Sequence, residues 1–440
     1  MKNNRKLENI QEFNYETELL QLIEELFPIC RSITGNGVRK TLEIIKKIIP
    51  IEIHEIPSGT KVFDWEIPKE WNINDAYVKD SNNNKIIDFK KSNLHVLNYS
   101  IPVNKKVNFT ELKKHLHTLP EHPDWIPYLT SYYNEDWGFC LSQSQLDQME
   151  DEEYEVSINS SLEMGSLTYG ELFIQGKTKE ELLFSCYICH PSMCNDNLSG
   201  VAIITYLSKI LENLDTKYSY RFLFIPETIG AITWLAKNEK HLSNLRYGMV
   251  ATCLGDRGHS TYKKTKHGDT YLDKIVEKVL IDSNEKHEIV EFFPWGSDER
   301  QFSSLGFNIP TGSLMRTPYA HENFPEYHTS ADNLEFMDKS ALQNSLEKYL
   351  KVIQIFENDE KYINSNPKCE PQLGKRGLYQ LIGGIKNQEL SKKAIFWILN
   401  QSDGMNSLLD ISNKSKLNFE IILNAAKLLE NSKLIKKETK

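Results

Sequence analysis

No run of about 18 apolar residues occurs in the 440-residue chain, which excludes a membrane-spanning helix. The segment from Met1 to Glu18 is polar and has no apolar signal core, so export is not expected and the cytoplasm is. Basic charge is short as well. The 52 Lys and Arg face 61 Asp and Glu, and the formal net charge of −9 argues against a chain built around a nucleic-acid backbone. Cysteine is sparse and odd in number, seven in all, which fits reduced thiols better than a disulfide framework. What is present is ordinary for a globular protein: 40% hydrophobic and 26% charged residues exclude wholesale disorder. The length predicts about two to three domains.

Leu19, Leu20, Leu22, Ile23 and Leu26 recur at helical spacing, as do Val38, Leu42, Ile45 and Ile48, with the polar glycine turn Arg31-Ser-Ile-Thr-Gly-Asn-Gly between them. Ile51, Ile53 and Ile56 then alternate partly with polar residues, as an edge strand does. Residues 64–138 differ in texture. They hold four of the seven tryptophans (Trp65, Trp71, Trp125, Trp137) and short alternating stretches that predict a small β-rich insertion domain. Those tryptophans could stack on a sugar or peptide; packing is the better-supported reading.

From Leu162 to Leu350 strands and helices alternate. Leu182 to Cys189 is a near-continuous apolar run, as in a strand covered on both faces, and Gly200 to Leu211 follows as an apolar helix. Phe222 to Ile225 and Tyr247 to Leu254 read as further buried strands, with a helix from Ala231 to Ala236 between them. The prediction is a three-layer α/β/α fold with a mostly parallel central sheet, built from residues 1–63 and 139–365. Ligands in such folds sit beyond the C-terminal strand ends. The last segment, 371–440, carries 12 Lys and Arg against 6 Asp and Glu. Its three short helices and closing strand predict a winged-helix-like domain. The helix from Asn418 to Glu430 offers Lys427 alone as a base beside Glu420 and Glu430, a poor surface for phosphates. Docking or homo-oligomerisation is therefore expected of this module, and nucleic-acid binding is not.

The chemistry concentrates at strand ends. His190 directly follows the first buried strand, and Asp196 lies six residues on in Asn-Asp-Asn-Leu-Ser-Gly, at the start of a helix. A second strand ends at Pro226-Glu227-Thr228, a third reaches Leu254-Gly255-Asp256, and Tyr327-His328-Thr-Ser-Ala-Asp332 comes later. Imidazoles and carboxylates together form the ligand set that zinc accepts when it keeps a position open for water, and a nearby carboxylate can take the proton from that water.

The arrangement resembles the co-catalytic zinc aminopeptidase superfamily, whose order is His, bridging Asp, a Glu-Glu pair, Asp and a final His. The resemblance implies His190, Asp196, Asp256 and His328 as metal ligands and Glu227 as the general base. More closely, the chain resembles a bacterial family of aminopeptidase-like proteins named with polysaccharide biosynthesis. That likeness rests on Arg31-Ser-Ile-Thr-Gly, Asp64-Trp-Glu-Ile-Pro, Cys189-His-Pro-Ser, Phe324-Pro-Glu-Tyr-His-Thr-Ser-Ala-Asp-Asn and the C-terminal module. It implies a zinc-dependent hydrolase of an amide bond, acting on a small peptide or an N-acyl small molecule or amino sugar.

Two departures bear on the mechanism. Ser192 replaces the Asp that steadies the first histidine in the superfamily, and Thr228 replaces the second Glu of the pair. Either one zinc is held with Glu227 as base, which is the preferred reading, or two ions are held, with Glu227 a ligand and Glu326 or Glu299 moving the proton. The alternative from another class is a catalytically degenerate protein that uses the pocket as a sensor and docks DNA or a partner through its C-terminal module. Asp298 and Glu299, in a Ser-Asp-Glu-Arg segment, join Arg316, Tyr319 and Glu326 as candidate substrate-binding residues. Arg316 is the planar fork for a carboxylate or phosphate, with a structural ion pair as its other reading. Cys186-Tyr-Ile-Cys189-His190 matches a haem-attachment pattern, yet it lies within a strand, and its thiols read as small buried groups.

Overall fold

The structure, a computed structural model, describes Leu7 and residues 10–317, 324–378 and 385–438. They divide into two compact units, Met1–Leu272 with Lys286–Glu347, and Asp273–Glu285 with Lys348–Lys440. No helix among the described residues is long and apolar enough to cross a membrane.

The first unit is organised by an eight-stranded mixed sheet. Its order is Glu52–Pro57, Ser166–Ile174, Ser219–Ile225, Glu181–Tyr187, Leu245–Val250, Thr311–Met315, Ser260–Lys263, His287–Val290. The centre is parallel: Glu181–Tyr187 pairs in parallel with both Ser219–Ile225 and Leu245–Val250, and the latter with Thr311–Met315. Antiparallel pairings lie toward the edges. The aminopeptidase-like α/β architecture predicted above is thus the one observed. Every residue of Glu181–Tyr187 is buried, which explains a strand without polar alternation. Phe184 stacks on Phe222 of its neighbour at 5.6 Å between ring centroids. The helix Ser199–Glu212 is apolar almost all round because nearly all of it is buried.

A smaller antiparallel sheet orders Lys85–Asp88, Glu70–Lys79, Glu153–Glu163 and Val103–Asn108. Its strand Glu153–Glu163 lies beyond the 64–138 range read from composition. The alternation of buried Tyr154, Val156 and Ile158 is nevertheless plain in the sequence. Trp71 and Trp137 are core residues, the Trp71 indole donating to the Ser100 carbonyl at 2.8 Å, whereas Trp65 is exposed. Arg39, on the helix Asn36–Lys46, ties these two larger sheets together. Its guanidinium donates to both oxygens of Glu55, at 2.7 and 3.2 Å, and of Glu70, at 2.7 and 2.6 Å.

In the second unit three helices, Ile385–Gln401, Leu408–Ser415 and Phe419–Asn431, accompany a three-stranded sheet ordered Asp403–Ser407, Lys361–Asn364, Ile435–Lys437. The central strand Lys361–Asn364 precedes the 371–440 segment marked by its charge. Leu417 and Phe419, at the start of the last helix, are held by Tyr271–Ser283. Lys278 Nζ donates to the Leu417 carbonyl at 2.8 Å, and the Phe419 N–H donates to Asp282 Oδ2 at 2.8 Å.

Candidate metal centre

The chain leaves the strand Glu181–Tyr187, passes His190 and makes a wide helical turn at Cys194–Leu198 before entering Ser199–Glu212. Each polar residue of the Asn-Asp-Asn-Leu-Ser-Gly run has work in that turn. Asn195 donates to Asp256 Oδ2 at 2.9 Å and accepts from the Gly255 N–H at 2.9 Å. Asn197 donates to the Ala251 carbonyl at 2.9 Å, and the Ser199 hydroxyl donates to the Asn195 carbonyl at 2.7 Å. Gly200 is required because a Cβ there would collide with the Ala251 carbonyl and the Asn197 amide. Asp332 closes the loop from outside. Its two carboxylate oxygens accept from the Asn195 N–H at 2.6 Å and the Asp196 N–H at 2.8 Å. Burial raises the Asp332 carboxyl to about 8 against those two bonds.

This scaffold brings His190, Asp196 and His328 together, with one potential ligand atom of each within 4.8 Å of the others. Asp196 Oδ2 stands 3.0 Å from His328 Nε2 and 3.8 Å from His190 Nε2. Two donors on one tetrahedral zinc, each about 2.1 Å from it, stand about 3.4 Å apart, so the spacing suits a shared ion. The strongest sign is polar atoms without a bond. Asp196 Oδ2 and His328 Nε2 are both buried and neither has a hydrogen-bond partner of proper geometry among the described residues. A cation between them would satisfy both, so the residues fit zinc.

The surroundings hold the three in place. The Tyr187 hydroxyl donates to Asp196 Oδ1 and lies 2.7 Å from Thr252 Oγ1. The Tyr128 ring packs 5.2 Å from both His190 and His328. Arg31, fully buried, donates from Nε to the His190 carbonyl at 2.9 Å and from Nη1 to the Leu26 carbonyl at 2.7 Å. Burial pushes the His190 imidazole down to about 4, so at neutral pH the ring is uncharged and able to ligate. Burial works to raise Asp196, but His190, His328 and the Tyr187 hydroxyl outweigh it and leave the carboxyl below its ordinary range.

Ser192, which stands where the superfamily has a carboxylate, turns away and donates to the Phe27 carbonyl at 2.8 Å. Cys189 takes that place. Its sulfur lies 3.3 Å from His190 Nδ1 and accepts from the Glu227 N–H at 3.3 Å. Glu227 presents Oε2 at 3.8 Å from His190 Nε2. Burial, then Asp298 and Asp196, push its carboxyl well above the ordinary range. Thr228 cannot serve as a carboxylate ligand and is fixed otherwise: its N–H donates to Asp298 Oδ1 at 2.7 Å, and Arg300 donates to its hydroxyl at 3.0 Å. Asp298 is buried beside them, and that burial raises its carboxyl to about 7.

Other predicted residues are placed elsewhere. Asp256, expected as a ligand, is not among the three clustered residues. Its oxygens are taken by Asn195, Gly258 and Thr317, so it braces the loop. Glu299 is sealed in a fully buried ion pair with Lys263 at 2.6 Å, a core role rather than a place on the substrate or in proton transfer. Arg316 donates to Asn344 Oδ1 at 3.0 Å and to the Ala341 carbonyl at 3.4 Å, so its guanidinium braces the helix Lys339–Asn358. Glu326 is half-buried, and its carbonyl accepts from the Thr329 hydroxyl at 2.7 Å. Tyr319 lies outside the described residues. The sequence alone gives Tyr187, Tyr128, Cys189 and Asp332 no place in the site, although Tyr187, Cys189 and Asp332 lie inside the motifs quoted above.

A family model described as domain of unknown function (DUF4910) matches residues 20–359, and a winged helix-turn-helix model matches residues 360–437. A Clostridium acetobutylicum protein, named as a proposed polysaccharide biosynthesis protein with an aminopeptidase-like domain, is 60% identical over 419 residues, 95% of this chain and 96% of that one. A crystal structure of a proposed peptidase from Clostridium acetobutylicum superposes with a TM-score of 0.92 at 58% identity, covering 98% of each chain. A zinc aminopeptidase from Bacillus subtilis shares the fold at a TM-score of 0.58 and 11% identity, over 79% of this chain and 95% of that one. The chain belongs to the family of aminopeptidase-like proteins described as domain of unknown function (DUF4910), joined here to a C-terminal winged helix-turn-helix module.

Proposed function

We propose that this protein is a zinc-dependent hydrolase of an amide bond in a small peptide or an N-acyl conjugate such as an acylated amino sugar. One ion would be held by His190, Asp196 and His328. The observation that carries the reading is the pair of buried, unbonded ligand atoms, Asp196 Oδ2 and His328 Nε2, beside His190 Nε2. The fold shared with a zinc aminopeptidase supports zinc as that ion. A single ion is favoured because Thr228 carries no charge and the Asp256 oxygens are already engaged by Asn195, Gly258 and Thr317.

When bound, zinc polarises the scissile carbonyl and acidifies the attacking water. The chain supplies the rest. Glu227, next to His190 yet with a quarter of its side chain exposed, accepts the proton of the water and returns it to the leaving nitrogen. Arg300 and Asp298 hold Thr228, and with it the turn that carries Glu227, in one conformation. The sensor alternative is not favoured, since a base stands beside the ligand set. Nucleic acid does not enter the reading, because the helix Phe419–Asn431 carries Lys427 as its one base beside Glu420 and Glu430. The seven free cysteines suit a reducing compartment, and we place the protein in the cytoplasm.

The test is a metal assay joined to a substrate screen on the full chain. Wild type should carry zinc, and His190→Ala with His328→Ala should lose it; equal zinc content in the two would falsify the ligand assignment. Aminoacyl and N-acyl amides screened with Zn²⁺, Mn²⁺ or Co²⁺ should show turnover. Glu227→Gln should keep the metal and lower kcat by about 10²–10⁴-fold, the usual contribution of a positioned base.

A further inference from the structure

Phe63, Tyr99 and Tyr133 hold left-handed backbone conformations, with φ of 56°, 77° and 66°. A positive φ is common at asparagine, but for a bulky aromatic it is strained and persists only where its surroundings impose it. These three do not lie at random. Tyr99 and Tyr133 line one cleft of about 330 Å³, and Phe63 stands two residues before Trp65, whose ring meets Tyr133 at 5.5 Å. Phe63 and Tyr133 are each 52% exposed, and Trp65 is 39% exposed. At Phe63 and Tyr133 the unfavourable backbone presents an aromatic face to water, whereas Tyr99 is buried at the floor of the cleft.

The polar groups of the cleft are of mixed character. Lys69 and Glu135 pair at 3.1 Å, and Glu66 and Asn134 share the lining. Tyr99 is fixed by donating its hydroxyl to the Lys69 carbonyl and by packing against Trp71 and Tyr132. An anion would meet two carboxylates here and a cation would meet Lys69. A neutral polyol suits both donors and acceptors, and the flat rings suit an apolar C–H face. The volume lies at the lower end of small-molecule sites, about 300–1,000 Å³, and is too small for a protein segment.

We propose that this cleft is a carbohydrate-binding site that takes one pyranose ring, stacked on Tyr133, whose own ring Trp65 supports from the side, and hydrogen-bonded by Lys69, Asn134, Glu66 and Glu135. None of its lining residues belongs to the His190, Asp196 and His328 cluster, and the proposal does not rest on the hydrolase reading.

The test is saturation-transfer NMR and calorimetry on the full chain with methyl glucoside, methyl galactoside and N-acetylglucosamine at millimolar concentration, with a tripeptide for comparison. At least one sugar should bind, with saturation transferred to its ring C–H protons. Tyr133→Ala and Trp65→Ala, both exposed and so compatible with folding, should each weaken that binding, Tyr133→Ala about tenfold as loss of a stacking face does and Trp65→Ala less, through the lost support of the Tyr133 ring. Zinc content should be unchanged in both variants, which separates this site from the metal centre. Absence of binding by all three sugars, preference for the tripeptide, or binding indifferent to both substitutions overturns the proposal.

Discussion

Replacing Cys189 by alanine examines how the metal centre keeps its first histidine in place. An ion on His190 Nε2 requires the ring proton on Nδ1, where the Cys189 sulfur, 3.3 Å away, is the acceptor. Sulfur is a weak acceptor, so the bond itself contributes about 0.5 kcal/mol, at the low end of net hydrogen bonds. Alanine also leaves a buried N–H without a partner, and the combined loss is about 1 kcal/mol. That corresponds to about fivefold in zinc affinity, below the 10–100-fold usual when a charged supporting group is removed. The assay is chelator competition on the metal-free protein, read beside the thermal midpoint of the same sample, because a small cavity lowers stability on its own account. Cys189→Ser restores an acceptor and should recover affinity while remaining less stable than wild type. Wild-type affinity in Cys189→Ala, or a serine variant no better than alanine, refutes the assignment of Cys189 as a positioning residue.

Two further outcomes concern the frame around the site. Glu70 is held down to about 2 chiefly by its bonds to Arg39, so its contribution to stability is present above its ordinary value of 4.5 and is lost as pH falls toward 2. Discounted for the partial exposure of the pair, the loss is about 1 kcal/mol; urea midpoints at about pH 5 and about pH 3 should show it in wild type and not in Arg39→Gln. Asp282→Ala strips the carboxylate, 2.9 Å away, from the buried Lys278 and also removes the acceptor at Phe419 N–H. It should lower stability by about 3 kcal/mol, with Lys278→Met in the same chain recovering part of the loss. A change below about 1 kcal/mol in equilibrium unfolding would contradict that account.

The strands that position the site were legible because burial on both faces leaves a near-continuous apolar run, as in Leu182 to Tyr187. The loop that follows was legible because each polar residue of Asn195 to Gly200 has a fixed partner. Distance along the chain set the limit. Whether Asp256 faces the cluster or the Thr317 hydroxyl depends on a contact 61 residues away. Glu299 and Arg316 carry charge that suits a pocket and suits a core equally well, and only the packing of Lys263 and Asn344 decides between them. The role of Cys189 was hidden for another reason. A thiol in a buried strand looks like filler until the ring beside it is seen to need an acceptor. The small sheet was read short because Glu153 to Glu163 pairs with residues up to 93 positions earlier.

Arg31 has a consequence of another kind. Its guanidinium is sealed in the interior with no carboxylate beside it among the described residues, and it spans the carbonyls of Leu26 and His190. Removing either carbonyl would strand a positive charge in a place water cannot reach. The end of the first long helix and the ligand-bearing loop, 164 residues apart in sequence, must therefore open as one cooperative unit, with amide protons in both exchanging at a common rate. A protease cut between them would loosen the placement of His190 while leaving every side chain of the cluster intact.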